Sequence, residues 1–239
     1  MRNKIAVTKN VGALLRAYES LAGRDPGIPG IGLVHGYTGA GKSTATAWLV
    51  NRTNGVYLRA AATWTPSAML GRGVVELGGE AATHRGASAM VDYIVRRLAE
   101  ENRPLFVDEA DYLFRDLRML ETLRDIHDLS AQPVVMIGME GIARRLKTRE
   151  QLSGRISQWV EFLPADLEDA RTLATTVCEV TLDDELLERL HAEAKGSMRL
   201  MAVGLARIES LAKGNGWKSV SAEKWGDRRF FFGAPGADK

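Results

Sequence analysis

Apolar residues along the chain follow two periods. In the first two thirds, short aliphatic and β-branched runs recur at 32–35, 55–59, 105–108, 134–138 and 158–162, and each interval is long enough for at least one helix. Strands alternating with helices predict a parallel sheet with helices on both faces. Beyond Pro164 the period becomes helical. Leu167, Ala170, Leu173, Ala174 and Val177 share one face, as do Leu186, Leu187, Leu190 and Ala194, then Leu200, Val203, Leu205, Ile208 and Leu211. Three amphipathic helices and no strand are expected there, with Asp166 and Asp183 as N-caps and Gly196 and Gly214 as stops. The chain thus divides into an α/β core over 1–165, a helical lid over 166–216 and a tail over 217–239. The tail mixes aromatic residues with Lys218, Lys224, Arg228 and Arg229, and its position leaves a packed end and an exposed arm both open.

Composition narrows the classes. With 239 residues, 45% hydrophobic and 26% charged, the chain has material for a large core. No run approaches the roughly 18 apolar residues of a membrane helix, so no membrane partner is expected. Thirty-two basic against thirty acidic residues give +2, too little for bulk charge to argue for a nucleic-acid partner. A lone Cys178 excludes a disulfide framework within the chain and a Cys-built zinc site, and MRNKIAVTKN has no signal-peptide core, which points to the cytoplasm.

Two short segments carry chemistry. Gly36-Tyr-Thr38-Gly39-Ala40-Gly41-Lys42-Ser43, followed by Thr44, fits G-x-x-x-x-G-K-[ST] between a strand-like run and a helix start. Gly39 and Gly41 let the backbone approach phosphate oxygens without a Cβ clash, turning successive N–H groups and a helix N-terminus toward negative charge. Lys42 would reach the β and γ phosphates of ATP, and Ser43 would offer its hydroxyl to Mg²⁺. The second segment is Pro-Leu-Phe-Val-Asp108-Glu109. Asp108 would hold the metal through water, and Glu109 beside it could polarise a water for in-line attack on the γ-phosphate. Placing the strand at 133–138 between the loop strand and the Asp108 strand gives the sheet order 5-1-4-3-2, a three-layer αβα P-loop NTPase core.

Phosphate loop, acid pair, sensor strand, arginine region and helical lid occur here in the order of the AAA+ ATPases, which the chain resembles over about residues 30 to 214. The resemblance implies that Arg199, in Gly196-Ser-Met-Arg199, acts as the second sensor, contacting the γ-phosphate from the lid. It implies that Arg155, in Leu-Ser-Gly-Arg155-Ile, is the arginine acting on a neighbouring subunit's nucleotide. The first sensor departs from the family pattern: Gly138, Met139 and Glu140 stand where an Asn, Thr or Ser is usual.

The wording VVMIGMEGIARRL, then LSGRI and WVEF, is similar to the target-selection ATPases of DNA transposition, including the B protein of Mu-type phages and its Tn7-like relatives. ATPases that accompany bacterial secretion systems share similar wording. The transposition group implies nucleotide-dependent homo-oligomers or filaments on duplex DNA, and a transposase partner. About 30 residues precede the loop, so DNA contact is expected from the core itself. Arg59, Thr65, Arg72 and Arg85 are candidates, joined by the basic residues Arg2, Lys4, Lys9, Arg16 and Arg24 of the first segment. Such contacts would be sequence-tolerant and salt-sensitive. A secretion-linked or protein-remodelling ATPase with no DNA role is the alternative, with a helicase-loader or origin-type DNA ATPase as a further reading.

Overall fold

The protein is described by a computed structural model covering residues 1–83 and 86–231. It separates into two compact units. One comprises Ala13–Tyr37 and Lys42–Phe162; the other comprises Met1–Gly12, Thr38–Gly41 and Leu163–Lys239.

The larger unit holds the sheet. In chain order it follows α1 (Lys9–Ala22), whose first residues belong to the other unit, with β1 (Ile31–Gly36), α2 (Lys42–Thr53), β2 (Val56–Arg59), α3 (Pro66–Glu76), α4 (Ala87–Glu101) and β3 (Leu105–Asp108). Then come α5 (Leu117–Ser130), β4 (Val134–Ile137), the short helices α6 (Ile142–Lys147) and α7 (Glu150–Ser153), and β5 (Ile156–Phe162). The strands are parallel and ordered β2-β3-β4-β1-β5, which is the expected 5-1-4-3-2 read from the other edge. β3 and β4 are buried at every position, as continuous apolar strands covered on two faces must be. Leu58, Leu105, Val107 and Met136 pack with Leu70, Ile94, Leu98 and Leu123 in one core. Phe106 points to the opposite face, 6.1 Å from the Tyr18 ring of α1.

The smaller unit is mainly helical, with α8 (Leu167–Val177), α9 (Asp184–Ala194) and α10 (Met198–Gly214). Asp166 and Asp183 cap the first two as expected, accepting from Asp169 N–H and Leu186 N–H at 2.9 Å each. One expectation needs correction. The region does contain strand: β6 (Thr181–Leu182) pairs in parallel with β7 (Ser219–Val220), and a short α11 (Ala222–Trp225) follows. A two-residue strand carries no readable period. α9 ends on two successive left-handed residues, Lys195 (φ 49°) and Gly196 (φ 74°), and α10 runs to Gly214, so both glycines stand at helix ends as expected. From the tail, Trp225 and Phe230 are buried and stacked, with centroids 5.2 Å apart, and they join Leu186, Leu190, Leu205 and Ile208 in the unit's own core. No helix among the described residues is long and apolar enough to cross a membrane.

Candidate nucleotide site

β1 delivers the chain to Gly36, where φ is 148° and an added Cβ would stand 2.4 Å from the Phe162 carbonyl oxygen of β5. A side chain is therefore excluded at the mouth of the loop both by backbone conformation and by space. Gly39 (φ 88°) and Gly41 (φ 92°) repeat the left-handed geometry that lets consecutive N–H groups converge. Thr38 is exposed and Ala40 is buried. α2 then starts at Lys42, whose Nζ donates to the carbonyls of Gly36 and Tyr37 at 2.7 and 2.8 Å. The ammonium is thus held at the loop mouth by the loop's own backbone. Ser43 and Thr44 lie exposed in the first turn of α2, where the free N–H groups and the helix dipole favour an anion.

The acid pair closes β3. Asp108 is 4% exposed, and both its oxygens have donors: Oδ1 accepts from Glu109 N–H and Oδ2 from the Tyr57 hydroxyl, each at 2.8 Å. Burial, followed by this bond to Asp108, pushes the Tyr57 phenol well above the usual tyrosine range, so it stays a donor. An ionised carboxylate offers about four lone-pair sites, so Asp108 keeps acceptor capacity for water on a cation. With the Ser43 hydroxyl, that donor set fits Mg²⁺, which retains most of its shell as water and phosphate oxygen. Glu109 occupies the left-handed region (φ 55°), a conformation uncommon for a non-glycine residue. Its carboxylate pairs with the Arg59 guanidinium at 3.5 Å.

Beyond β4, the segment expected to supply the first sensor is latched differently: Met139 N–H donates to Asp111 Oδ2 at 2.7 Å, and Glu140 is exposed. At the start of α10, Arg199 N–H donates to the Gly39 carbonyl at 3.1 Å, and a Cβ on Gly39 would come within 2.7 Å of Ser197 Oγ. The first turn of α10 and the loop glycine are therefore in backbone contact.

Comparison with known proteins agrees with this geometry. Residues 28–146 match the family model described as an AAA domain. Solved structures align over nearly the whole chain. The fold is that of the AAA+ P-loop NTPases. The ORC2 protein of Aeropyrum pernix, in ADPNP-ADP complexes, superposes with a TM-score of 0.72 at 17% identity, covering 94% of this chain and 68% of that one. The Aeropyrum pernix ORC1 protein in complex with DNA gives 0.62 at 20% identity, covering 91% and 63%. Cdc6p from Pyrobaculum aerophilum gives 0.66 at 16%, covering 90% and 64%. No curated protein matches the chain.

Within this AAA+ fold, Arg155 lies far from its own phosphate loop. Its carbonyl accepts from Ile31 N–H at the start of β1, whereas Gly36 ends that strand, roughly 16 Å away at about 3.3 Å per residue. The Arg155 side chain is half exposed and pairs with Asp128 at 3.3 Å. The DNA candidates are dispersed. Arg59 stands beside Glu109, Thr65 caps α3 by accepting from Ala68 N–H, and Arg72 pairs with Glu76 one turn away; Arg85 lies outside the described residues. Much of the basic N-terminal segment is spent internally. Arg24 donates to the carbonyls of Leu21, Ile28 and Ala131, Arg2 to Thr175 O, and Lys9 pairs with Asp166 and Glu168.

Tyr57 and Asp111 are the residues that sequence reasoning missed. The sequence puts Tyr57 two positions before Arg59 on one strand face, and only the β2–β3 register shows that this face is shared with Phe106 and Asp108.

Proposed function

We propose that the chain is an ATP-dependent, sequence-tolerant DNA-binding ATPase that assembles as homo-oligomers or filaments on duplex DNA and directs a transposase to target DNA. Residues 1–165 act as its ATPase core, 166–216 as the lid and 217–239 as the tail. The observation that carries the ATPase reading is the joint arrangement of Lys42 at the loop mouth and the Asp108–Glu109 pair at the end of β3. Gly36, Thr38, Gly39, Ala40 and Gly41 cradle the phosphates, with Lys42, Ser43 and Thr44 at the helix start. Ser43 and Asp108 would hold Mg²⁺, whose charge would offset that of the phosphates when bound. Glu109 takes a proton from the attacking water, the water oxygen bonds to the γ-phosphorus, and the β–γ bridging oxygen leaves with ADP.

Arg155 cannot reach its own nucleotide, so the role proposed for it is on the nucleotide of an adjoining subunit, where it offsets developing charge. Arg199 couples the lid to the γ-phosphate. Arg59 is the DNA candidate placed to matter for turnover: a DNA phosphate that draws its guanidinium away would release Glu109. DNA binding is supported by the relative whose structure is in complex with DNA. The transposition assignment rests on the similarity of the segment between β4 and β5 to the target-selection ATPases. A second reading, an origin-type DNA ATPase, is favoured by the names of the aligned structures. A secretion-linked role without DNA is the remaining alternative.

The test is a duplex-DNA retardation assay with ATP, ADP and a slowly hydrolysed ATP analogue, followed by negative-stain imaging. Triphosphate-dependent filaments, with affinity falling steeply as salt rises, support the proposal. Discrete particles confined to particular sequences favour the origin-type reading, and no DNA affinity at low salt favours the secretion-linked one.

A further inference from the structure

β2 presents two polar side chains, Tyr57 and Arg59, on one face, and each meets one member of the acid pair. Tyr57 is the register partner of Phe106, and Arg59 that of Asp108. The phenol therefore reaches diagonally, past its own partner, to the Asp108 carboxylate at 2.8 Å. Among the described residues it is one of two donors on this 4%-exposed group, and the other is the main-chain N–H of Glu109, which only proline would remove. The Asp108 side chain is thus oriented by one backbone group and one replaceable hydroxyl. Phe106, the register partner of Tyr57, lies on the same face and meets the Tyr18 ring at 6.1 Å.

We infer that Tyr57 is a positioning residue for the metal-holding carboxylate, fixing which lone pairs of Asp108 face the cation's water shell. The inference rests on the nucleotide reading above and deepens it by giving β2 a part in metal recognition. A buried acceptor with one of its donors removed can rotate or recruit water. Either outcome weakens its grip on the hydrated cation without altering the loop that grips the phosphates.

The test compares wild type, Tyr57→Phe and Asp108→Asn in three measurements: affinity for a fluorescent ATP analogue in EDTA, the Mg²⁺ concentration that half-saturates the metal-dependent gain in that affinity, and the electron paramagnetic resonance spectrum of Mn²⁺ bound with the nucleotide. For Tyr57→Phe we expect unchanged affinity in EDTA, a metal requirement raised by about tenfold, the scale of one lost hydrogen bond to a charged group, and a broadened Mn²⁺ signal. Leu58→Ala, a cavity on the opposite face of the same strand, serves as the control for plain destabilisation: it should lower the melting temperature and leave the metal requirement in place. A Tyr57→Phe chain with the wild-type metal requirement and Mn²⁺ spectrum overturns the inference alone. A wild-type chain that binds no nucleotide, with or without metal, overturns the nucleotide reading and this inference with it.

Discussion

The Arg59 guanidinium stands 3.5 Å from the Glu109 carboxylate, on the strand next to the one that ends in the acid pair. A glutamate engaged in this way has less freedom to align a water, and the pair is exposed enough to be weak: Arg59 is 70% and Glu109 35% exposed. Arg59→Ala should therefore raise basal ATP turnover by about two- to fivefold, the range expected from an exposed ion pair. Measured with and without duplex DNA, the same variant should lose most of any DNA stimulation. Turnover below wild type in the absence of DNA would show that Arg59 assists Glu109 instead of restraining it.

Glu109→Gln keeps the size and the left-handed backbone but removes the base. It should slow hydrolysis by about a hundredfold or more while leaving triphosphate binding intact, as single-turnover assays and equilibrium binding would show. Wild-type hydrolysis by this variant would move the water-activating role to another residue.

Gly36→Ala tests the loop mouth. With φ at 148° and the Phe162 carbonyl oxygen 2.4 Å from the added carbon, the chain must shift β1 against β5. A loss of about 2–4 kcal/mol in urea unfolding is expected, with nucleotide affinity reduced in parallel. A substitution neutral in both would contradict the close approach of the two strands.

Much of this was legible in the sequence because backbone conformation fixes it at close range. The glycines of the loop are spaced by the turn they must make, and the parallel strands are written as unbroken apolar runs, so the loop and the acid pair follow from local pattern, while the strand order comes from placing the 133–138 strand between the loop strand and the Asp108 strand. What escaped depends on distant neighbours. Arg24 reads as part of a basic arm, yet its three carbonyl acceptors come from Leu21, Ile28 and Ala131, the last more than a hundred residues away. Tyr57 reads as an ordinary strand aromatic until β2 is aligned with β3. The β6–β7 pair is too short to carry a period, and nothing local shows that Arg199 N–H meets Gly39 O.

His127 supplies a pH dependence. It is buried, its Nδ1–H donates to Gln132 O at 2.8 Å, and its Nε2 accepts from Gly30 N–H at 3.1 Å, immediately before β1. Burial holds its pKa below the ordinary 6.5, with Arg24 and Arg155 acting in the same direction and Asp128 and the Gln132 carbonyl opposing. The folded protein thus keeps the ring neutral while the unfolded chain protonates, so stability present above pH 6.5 is lost as the pH falls below it toward the folded value. Urea midpoints should decline between about pH 7 and 5.5, and His127→Gln should flatten that decline. An unchanged slope in the variant would assign the dependence to other groups.

Arg155 at the start of β5 is predicted to act between subunits. Arg155→Ala and Lys42→Ala proteins, each inactive alone, should regain turnover when mixed, because one contributes an intact loop and the other the arginine. Mixtures that stay inactive although both proteins co-assemble would remove Arg155 from the composite site.

The most direct test of the central claim, that this loop and acid pair form one MgATP site, is calorimetric titration of MgATP into wild type and Lys42→Ala. The account predicts saturable binding at a single site per wild-type chain, weakened by about a hundredfold or more without the Lys42 ammonium. Absence of binding to wild type, or equal binding by the two proteins, would contradict it.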